Sequence, residues 1–197
     1  MSEQLFDQGG RRKYLTARER RAFLKAAEDS PEQVRTLCHV LAFTGCRISE
    51  ALALTADRVD FESGQIIFES LKKRRKGVYR GVPVPSSLLD MLDDVHDLRS
   101  LKQIQHSVHL AHIWTMSRPT AWRAIKTVMG SAGIEAGPQA SPKGLRHGFG
   151  VFAVSAGVPL NMIQKWLGHA QISTTAIYAN AQGPEERNLA ERMWGSS

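Results

Sequence analysis

Residues 143–178 read KGLRHGFGVFAVSAGVPLNMIQKWLGHAQISTTAIY. Within this stretch Arg146, a Gly-His pair ending at His169, and Tyr178 stand at set intervals in sequence whose apolar residues otherwise recur with the period of helices. The pattern from Leu145 to Ala156 predicts one helix. Pro159 then sits at the first-turn position of a short helix ending near Leu167, with Gly168 as its stop. A tyrosine is an unusual nucleophile, because a phenol has a pKa near ~10 and keeps its proton at neutral pH unless cations lie beside it. Arginine and histidine are such neighbours.

Composition narrows the setting. A chain of 197 residues with 42% hydrophobic content can bury one substantial core. Twenty-six Lys and Arg against 19 Asp and Glu give a formal charge of +7, and the pI is near 9.7. This favours a polyanionic partner, with nucleic acid first, although a basic protein with no specific partner has the same balance. Cys38 and Cys46 form no CxxC, which argues against a disulfide framework or a thiolate zinc site and reads as two buried thiols. No apolar run resembles a signal peptide or approaches the ~18 residues of a membrane span, so a cytoplasmic protein is expected.

Along the chain, residues 1–13 are polar, contain glycine and end in Arg11, Arg12 and Lys13. They predict a flexible basic arm that could touch phosphates. Thr16 and Glu19 form a TxxE capping box that opens a first helix running to about Asp29. Ser30 and Pro31 begin a second, which stops at Gly45. QIIFES (65–70) and VYRGVPV (78–84) have strand character and flank LKKRRKG, predicting a β-hairpin with a basic tip. Residues 86–98 and 118–132 repeat the helical period. The fold class is therefore α+β, mostly helical with a small antiparallel sheet.

Thr44 to Thr55 read TGCRISEALALT, with Arg47 just after the glycine stop and Glu50 three residues on, where a carboxylate can orient the guanidinium. Alone, this is also a common helix-start pair. Taken with LKKRRK, GLRHGFG and LGHAQISTTAIY, it resembles the tyrosine recombinase (phage integrase) family from about Tyr14 to Tyr178. The resemblance matches Arg47 and Glu50 to the family's TGxRxxE block and Arg146 and His147 to its HxLRH block. His169 falls in its LGH-type block, nine residues before the nucleophile position at Tyr178. It matches the hairpin lysine to Lys72, with Lys73 close behind, and leaves Arg74, Arg75 and Lys76 as further phosphate contacts. Lys143 stands three residues before the second arginine, where the family usually has histidine.

What the resemblance implies is site-specific DNA recombination. Tyr178 attacks a phosphodiester to give a 3′-phosphotyrosyl link, Arg47, Arg146 and His169 hold the nonbridging oxygens, and Lys72 protonates the departing 5′-hydroxyl. Two guanidinium forks suit such a clamp because they bind phosphate bidentately and stay charged. A protonated Lys143 cannot accept the phenolic proton, so an electrostatic role is expected there, with His147 a neighbour of the site. No cofactor or metal is implied. The expected partner is double-stranded DNA, bound by a homo-tetramer with accessory proteins compensating for the short chain.

Other signals compete. His106, His109 and His112 have a spacing that could hold zinc, but no HExxH or carboxylate base accompanies them, and a polar connector is the simpler account. Residues 14–180 are expected to form the catalytic domain. Residues 181–197 predict a tail helix with Leu189, Met193 and Trp194 on one side, docking on its own or a neighbouring protomer. The family usually carries a helical domain of ~100 residues ahead of the first arginine block. With Met1 in place, this chain is expected to be a minimal member, similar to the short fimbrial-switch invertases and of bacterial or phage origin, in the nucleoid. A noncatalytic DNA-binding regulator with the same fold and a type IB topoisomerase are the rival readings.

Overall fold

The computed structural model describes residues 4–70, 77–103 and 111–180, with 187, 190 and 191. The mixed α and β class expected from the sequence is what is found: helices predominate around a small antiparallel sheet.

α1 (Ala17–Glu28) starts where Thr16 Oγ1 accepts the Glu19 N–H and the Glu19 carboxylate accepts the Thr16 N–H, a reciprocal cap. α2 (Glu32–Thr44) is the central helix, with Leu37, Cys38, Val40 and Leu41 buried against α1, α4 (Ser86–His96) and α7 (Pro142–Ser155). It ends on Gly45, which is left-handed at φ 60°. A short α3 (Ile48–Leu52) follows at once, then a 3₁₀ turn (Ala56–Arg58) leading into the sheet. Strands β1 (Val59–Asp60), β2 (Gln65–Glu69) and β3 (Tyr79–Pro83) pair antiparallel in that order, with Ile66 opposite Val82 and Phe68 opposite Arg80. The hairpin therefore has the expected strands, while the tip from Leu71 to Lys76 lies outside the described residues.

The helix expected over residues 86–98 ends two residues early, at His96. Asp97 takes the left-handed conformation at φ 52° and closes α4, and α5 (Leu98–Gln103) begins afresh, so the chain turns to bury Leu98. α6 (Arg118–Ser131) and α7 begin on serine caps, Ser117 and Ser141. Pro142 occupies the first turn of α7 and carries its start ahead of the expected Leu145. α8 (Leu160–Leu167) and α9 (Ile172–Ala176) follow, and a 3₁₀ turn (Ile177–Asn180) holds Tyr178.

Two apolar clusters hold these elements. The larger gathers Phe23, Leu37, Leu54, Phe68, Trp114 and Ile125 from α1 through α6 and the sheet. Each such side chain contributes roughly 1.5–3 kcal/mol through removal from water. The smaller joins Leu5, Tyr14, Phe149, Ile163, Leu167 and Tyr178.

Residues 4–13 correct the expectation of a free arm. They fold back, with the Lys13 N–H on the Leu5 carbonyl at 2.7 Å, Leu5 buried, and Phe6 edge-on to Tyr14. Arg12 meets Glu19 through both terminal nitrogens, at 2.6 and 2.5 Å, and also donates to the Tyr14 carbonyl. Arg11 pairs with Asp7 at 2.9 Å. Two of the three cations expected to touch DNA thus serve first to fasten the amino-terminal turn, because Leu5 and Phe6 have an apolar cluster to join.

Candidate active site

The second turn of α7 carries Arg146 and His147, both buried. Arg146 Nη1 donates to the Gly45 carbonyl at 2.8 Å and Nη2 to the Leu167 carbonyl at 2.7 Å, so this guanidinium joins the ends of α2 and α8. Gly45 has to be glycine on two grounds: its positive φ, and the 2.6 Å that would separate a Cβ from the Phe149 ring. Burial, and after it the nearby Arg47 charge, lower the Arg146 pKa to about 10, which leaves it cationic at neutral pH.

Arg47 stands at the amino-terminal cap of α3 with its side chain 37% exposed. Its Nη1 meets Glu50 Oε1 at 3.0 Å, and its backbone N–H meets Glu50 Oε2 at 2.8 Å. Glu50 is itself buried. Burial alone would raise its pKa, but Arg80 and then Arg47 hold the carboxyl below its ordinary value. The short cap after Gly45 thus orients an arginine outward by fixing its carboxylate partner inward.

Arg47, Arg118, Lys143, Arg146 and His147 line one cleft of about 380 Å³, together with the half-exposed Trp122. Four always or ordinarily charged cations on one concave surface make an anion site, and the two guanidinium forks give it the geometry for phosphate.

Tyr178 lies behind the residues that line this cleft and has no exposed surface. Its hydroxyl is 3.3 Å from His147 Nδ1, and its ring stacks on that of His169, with centroids 6.1 Å apart and planes at 20°. His169 is buried, with Nδ1 2.9 Å from Thr175 Oγ1. Such an array lets a phenol hand its proton to an imidazole while the other imidazole supports its face.

The phage integrase family matches residues 13–184, most of the chain. This chain belongs to that family. It is 28% identical to tyrosine recombinase XerA of Pyrococcus furiosus over 191 residues, 93% of this chain and 64% of that protein. It is 31% identical to tyrosine recombinase XerD of Mycobacterium leprae over 153 residues, 73% of this chain and 46% of that protein. The chain thus spans less than two thirds of these relatives' length. Among solved structures, XerA recombinase superposes with TM-score 0.75 at 24% identity over 91% of this chain and 64% of that one. XerH recombinase bound to its difH substrate gives 0.70 at 19% identity over 96% and 59%. The catalytic domain of bacteriophage HP1 integrase gives 0.64 at 22% identity over 93% and 96%.

The sequence blocks of the phage integrase family fall on residues that the fold brings near one another. The structure gathers Arg47, Lys143, Arg146 and His147 at the cleft and stacks His169 on Tyr178 behind it. Lys72, Lys73, Arg74, Arg75 and Lys76 lie outside the described residues, as do His106 and His109. Among the described residues, no helix is long and apolar enough to span a membrane. Sequence reading passed over Arg118 and Trp122, whose i, i+4 spacing on α6 was a legible common face. It also passed over Arg80, which shares the inward parity of Val82 in β3.

Proposed function

We propose that this chain is the catalytic part of a site-specific recombinase that cuts and rejoins DNA through a 3′-phosphotyrosyl intermediate on Tyr178. The observation that carries the reading is His147: it lines the cationic cleft and touches the Tyr178 hydroxyl, linking a phosphate-sized anion site to a phenol.

The scissile phosphate sits in the cleft with its nonbridging oxygens on Arg47 and Arg146. Arg146, with two of its five donors spent on carbonyls, arrives rigidly aimed, and preorganised donors of this kind supply most of the stabilisation in phosphoryl transfer. Tyr178 Oη bonds to phosphorus as the bond to the 5′-oxygen breaks. The phenolic proton passes to His147 Nδ1, and the 5′-oxygen takes a proton from the hairpin lysine, Lys72 by family resemblance. Attack by a 5′-hydroxyl of a second DNA reverses each step, so no nucleotide cofactor is consumed. Lys143 adds positive charge at the cleft mouth. Because Tyr178 is wholly buried here, the segment from Ile172 to Asn180 moves before it reaches phosphorus.

Double-stranded DNA is the partner, engaged by a tetramer in which the tail bearing Leu189, Met193 and Trp194 docks on a neighbouring protomer, with accessory proteins strengthening binding. Those tail residues lie outside the described ones. Incubation with nicked suicide DNA bearing the native flanking sequences, with a second duplex offering a free 5′-hydroxyl, tests the reading. A covalent adduct lost in Tyr178→Phe and strand transfer to the second duplex are expected. Absence of any adduct with wild-type protein defeats it. Deleting residues 184–197 tests the tail: unchanged assembly and strand exchange sink the exchange between protomers.

A further inference from the structure

β3 carries an arginine inside the molecule. Arg80 alternates with exposed Tyr79 and Pro83 and faces inward with Val82, an apolar position in any ordinary half-buried strand. Its Nη2 meets Glu50 Oε2 at 2.7 Å, its Nη1 meets Glu50 Oε1 at 3.3 Å, and its Nε donates to the Trp166 carbonyl at 2.7 Å. The guanidinium also lies over the Phe68 ring, 5.3 Å from its centroid, and against Gly168, where a Cβ would come within 3.1 Å of it. An arginine is rarely buried unless it is paired, and here its pairing reaches both supports of the cleft.

We propose that Arg80 is a positioning residue for DNA strand cleavage, acting through Glu50 on Arg47 and through the end of α8 on Arg146. The inference rests on the recombinase reading above. Glu50 has two oxygens and serves two guanidiniums. Arg80 forks onto both oxygens, most closely onto Oε2, so the Arg47 side chain meets the carboxylate through Oε1, a single contact that leaves the rest of its fork for phosphate. Remove Arg80, and Glu50 turns to take Arg47 as a fork-to-fork pair, the geometry arginine and carboxylate prefer, which draws Arg47 off the phosphate. The second arm works on the neighbouring peptide. Arg80 fixes the Trp166 carbonyl, and the next carbonyl along, Leu167, holds Arg146. One buried side chain on the hairpin strand therefore sets the spacing of both phosphate-binding arginines. Lysine cannot replace it, since a point charge reaches Glu50 or Trp166 but not both.

The test uses the full chain, the suicide DNA and two variants, Arg80→Lys and Arg80→Met, at saturating DNA. The rate of Tyr178 adduct formation should fall about 10²-fold in both, the scale of loss from misplaced reacting groups, with DNA affinity retained. A substrate with methylphosphonate at the scissile position separates positioning from loss of fold, because it lacks one of the charges that Arg47 and Arg146 neutralise. On it, the ratio of wild-type to variant rate should shrink at least tenfold. Leu92→Ala, a core cavity on α4, which contributes no residue to the cleft, lowers the thermal midpoint and should leave the adduct rate unchanged. If the single variants do not fold, Arg80→Met with Glu50→Gln removes both charges together and restores a neutral interior. Its loss on the phosphate substrate should again shrink on methylphosphonate. Wild-type rates in the Arg80 variants, or an equal loss on both substrates, overturn the inference. No adduct with wild-type protein removes the recombinase reading itself, and the inference with it.

Discussion

Tyr178 packs so closely on Gly150 that a methyl group on the glycine would stand 2.6 Å from Cδ2, Cε2 and Cζ of the ring. Gly150 lies in α7, one helical turn beyond Arg146, so the helix that presents the cleft arginine also cuts the seat for the tyrosine proposed as the nucleophile. Gly150→Ala gains up to about 1 kcal/mol in helix propensity, but the overlap costs about 1–3 kcal/mol. The ring must leave its seat. Hydrogen exchange across residues 172–180 should quicken in this variant while α7 keeps its protection. Unchanged exchange there would mean that the glycine does not hold the tyrosine.

His147 is the group in contact with the phenol, and its buried ring leaves little room for water to substitute. His147→Gln preserves a polar side chain but removes the proposed base. Adduct formation at neutral pH should drop by about 10²- to 10⁴-fold, with DNA affinity held. Retention of the wild-type rate would shift proton acceptance to another group.

Glu50→Gln strips the counter-charge from a buried arginine. Breaking a buried pair in this way costs about 3–5 kcal/mol, and a chemical melt of the variant should show a loss of that size. The pH dependence has a definite sign. Since the folded carboxyl titrates below its ordinary 4.5, its contribution is present above that value and is lost as pH falls through the lowered folded pKa. The wild-type chain should therefore lose more stability on acidification below pH 4.5 than the variant does.

Much of the fold could be read from the chain because its punctuation is local. Thr16 with Glu19, Gly45 and Gly168 mark helix ends through their own backbone chemistry, and each mark coincides with an observed end. Arg80 is different. Its inward place follows from strand parity, but the carboxylate that makes burial tolerable is 30 positions away in sequence. Leu5 and Phe6 likewise join a cluster whose other members, such as Phe149 and Ile163, come from the far end of the chain. Asp97 escaped because the apolar period runs through it, while its left-handed backbone answers to the packing of Leu98.

A second titration lies on α4, outside the lining of the cleft. His96 Nε2 is 2.9 Å from Thr36 Oγ1, which also accepts the indole N–H of Trp114 at 3.1 Å, and burial lowers the histidine pKa. A base held neutral by the fold takes up protons more readily when unfolded. Stability should be complete above pH 6.5 and decline as pH drops below it. His96→Gln keeps a hydrogen-bonding partner for Thr36 and should flatten the decline between pH 6.5 and 5 in thermal melts.

The two carbonyls that grip Arg146 have one more consequence. Gly45 and Leu167 close α2 and α8, and the carboxyl ends of helices carry a partial negative charge from their aligned peptide dipoles. They steady a buried cation as an acidic side chain would, yet they are neutral groups. The arginine is thus steadied before any anion arrives, and the two groups that grip it add no formal negative charge of their own to repel one.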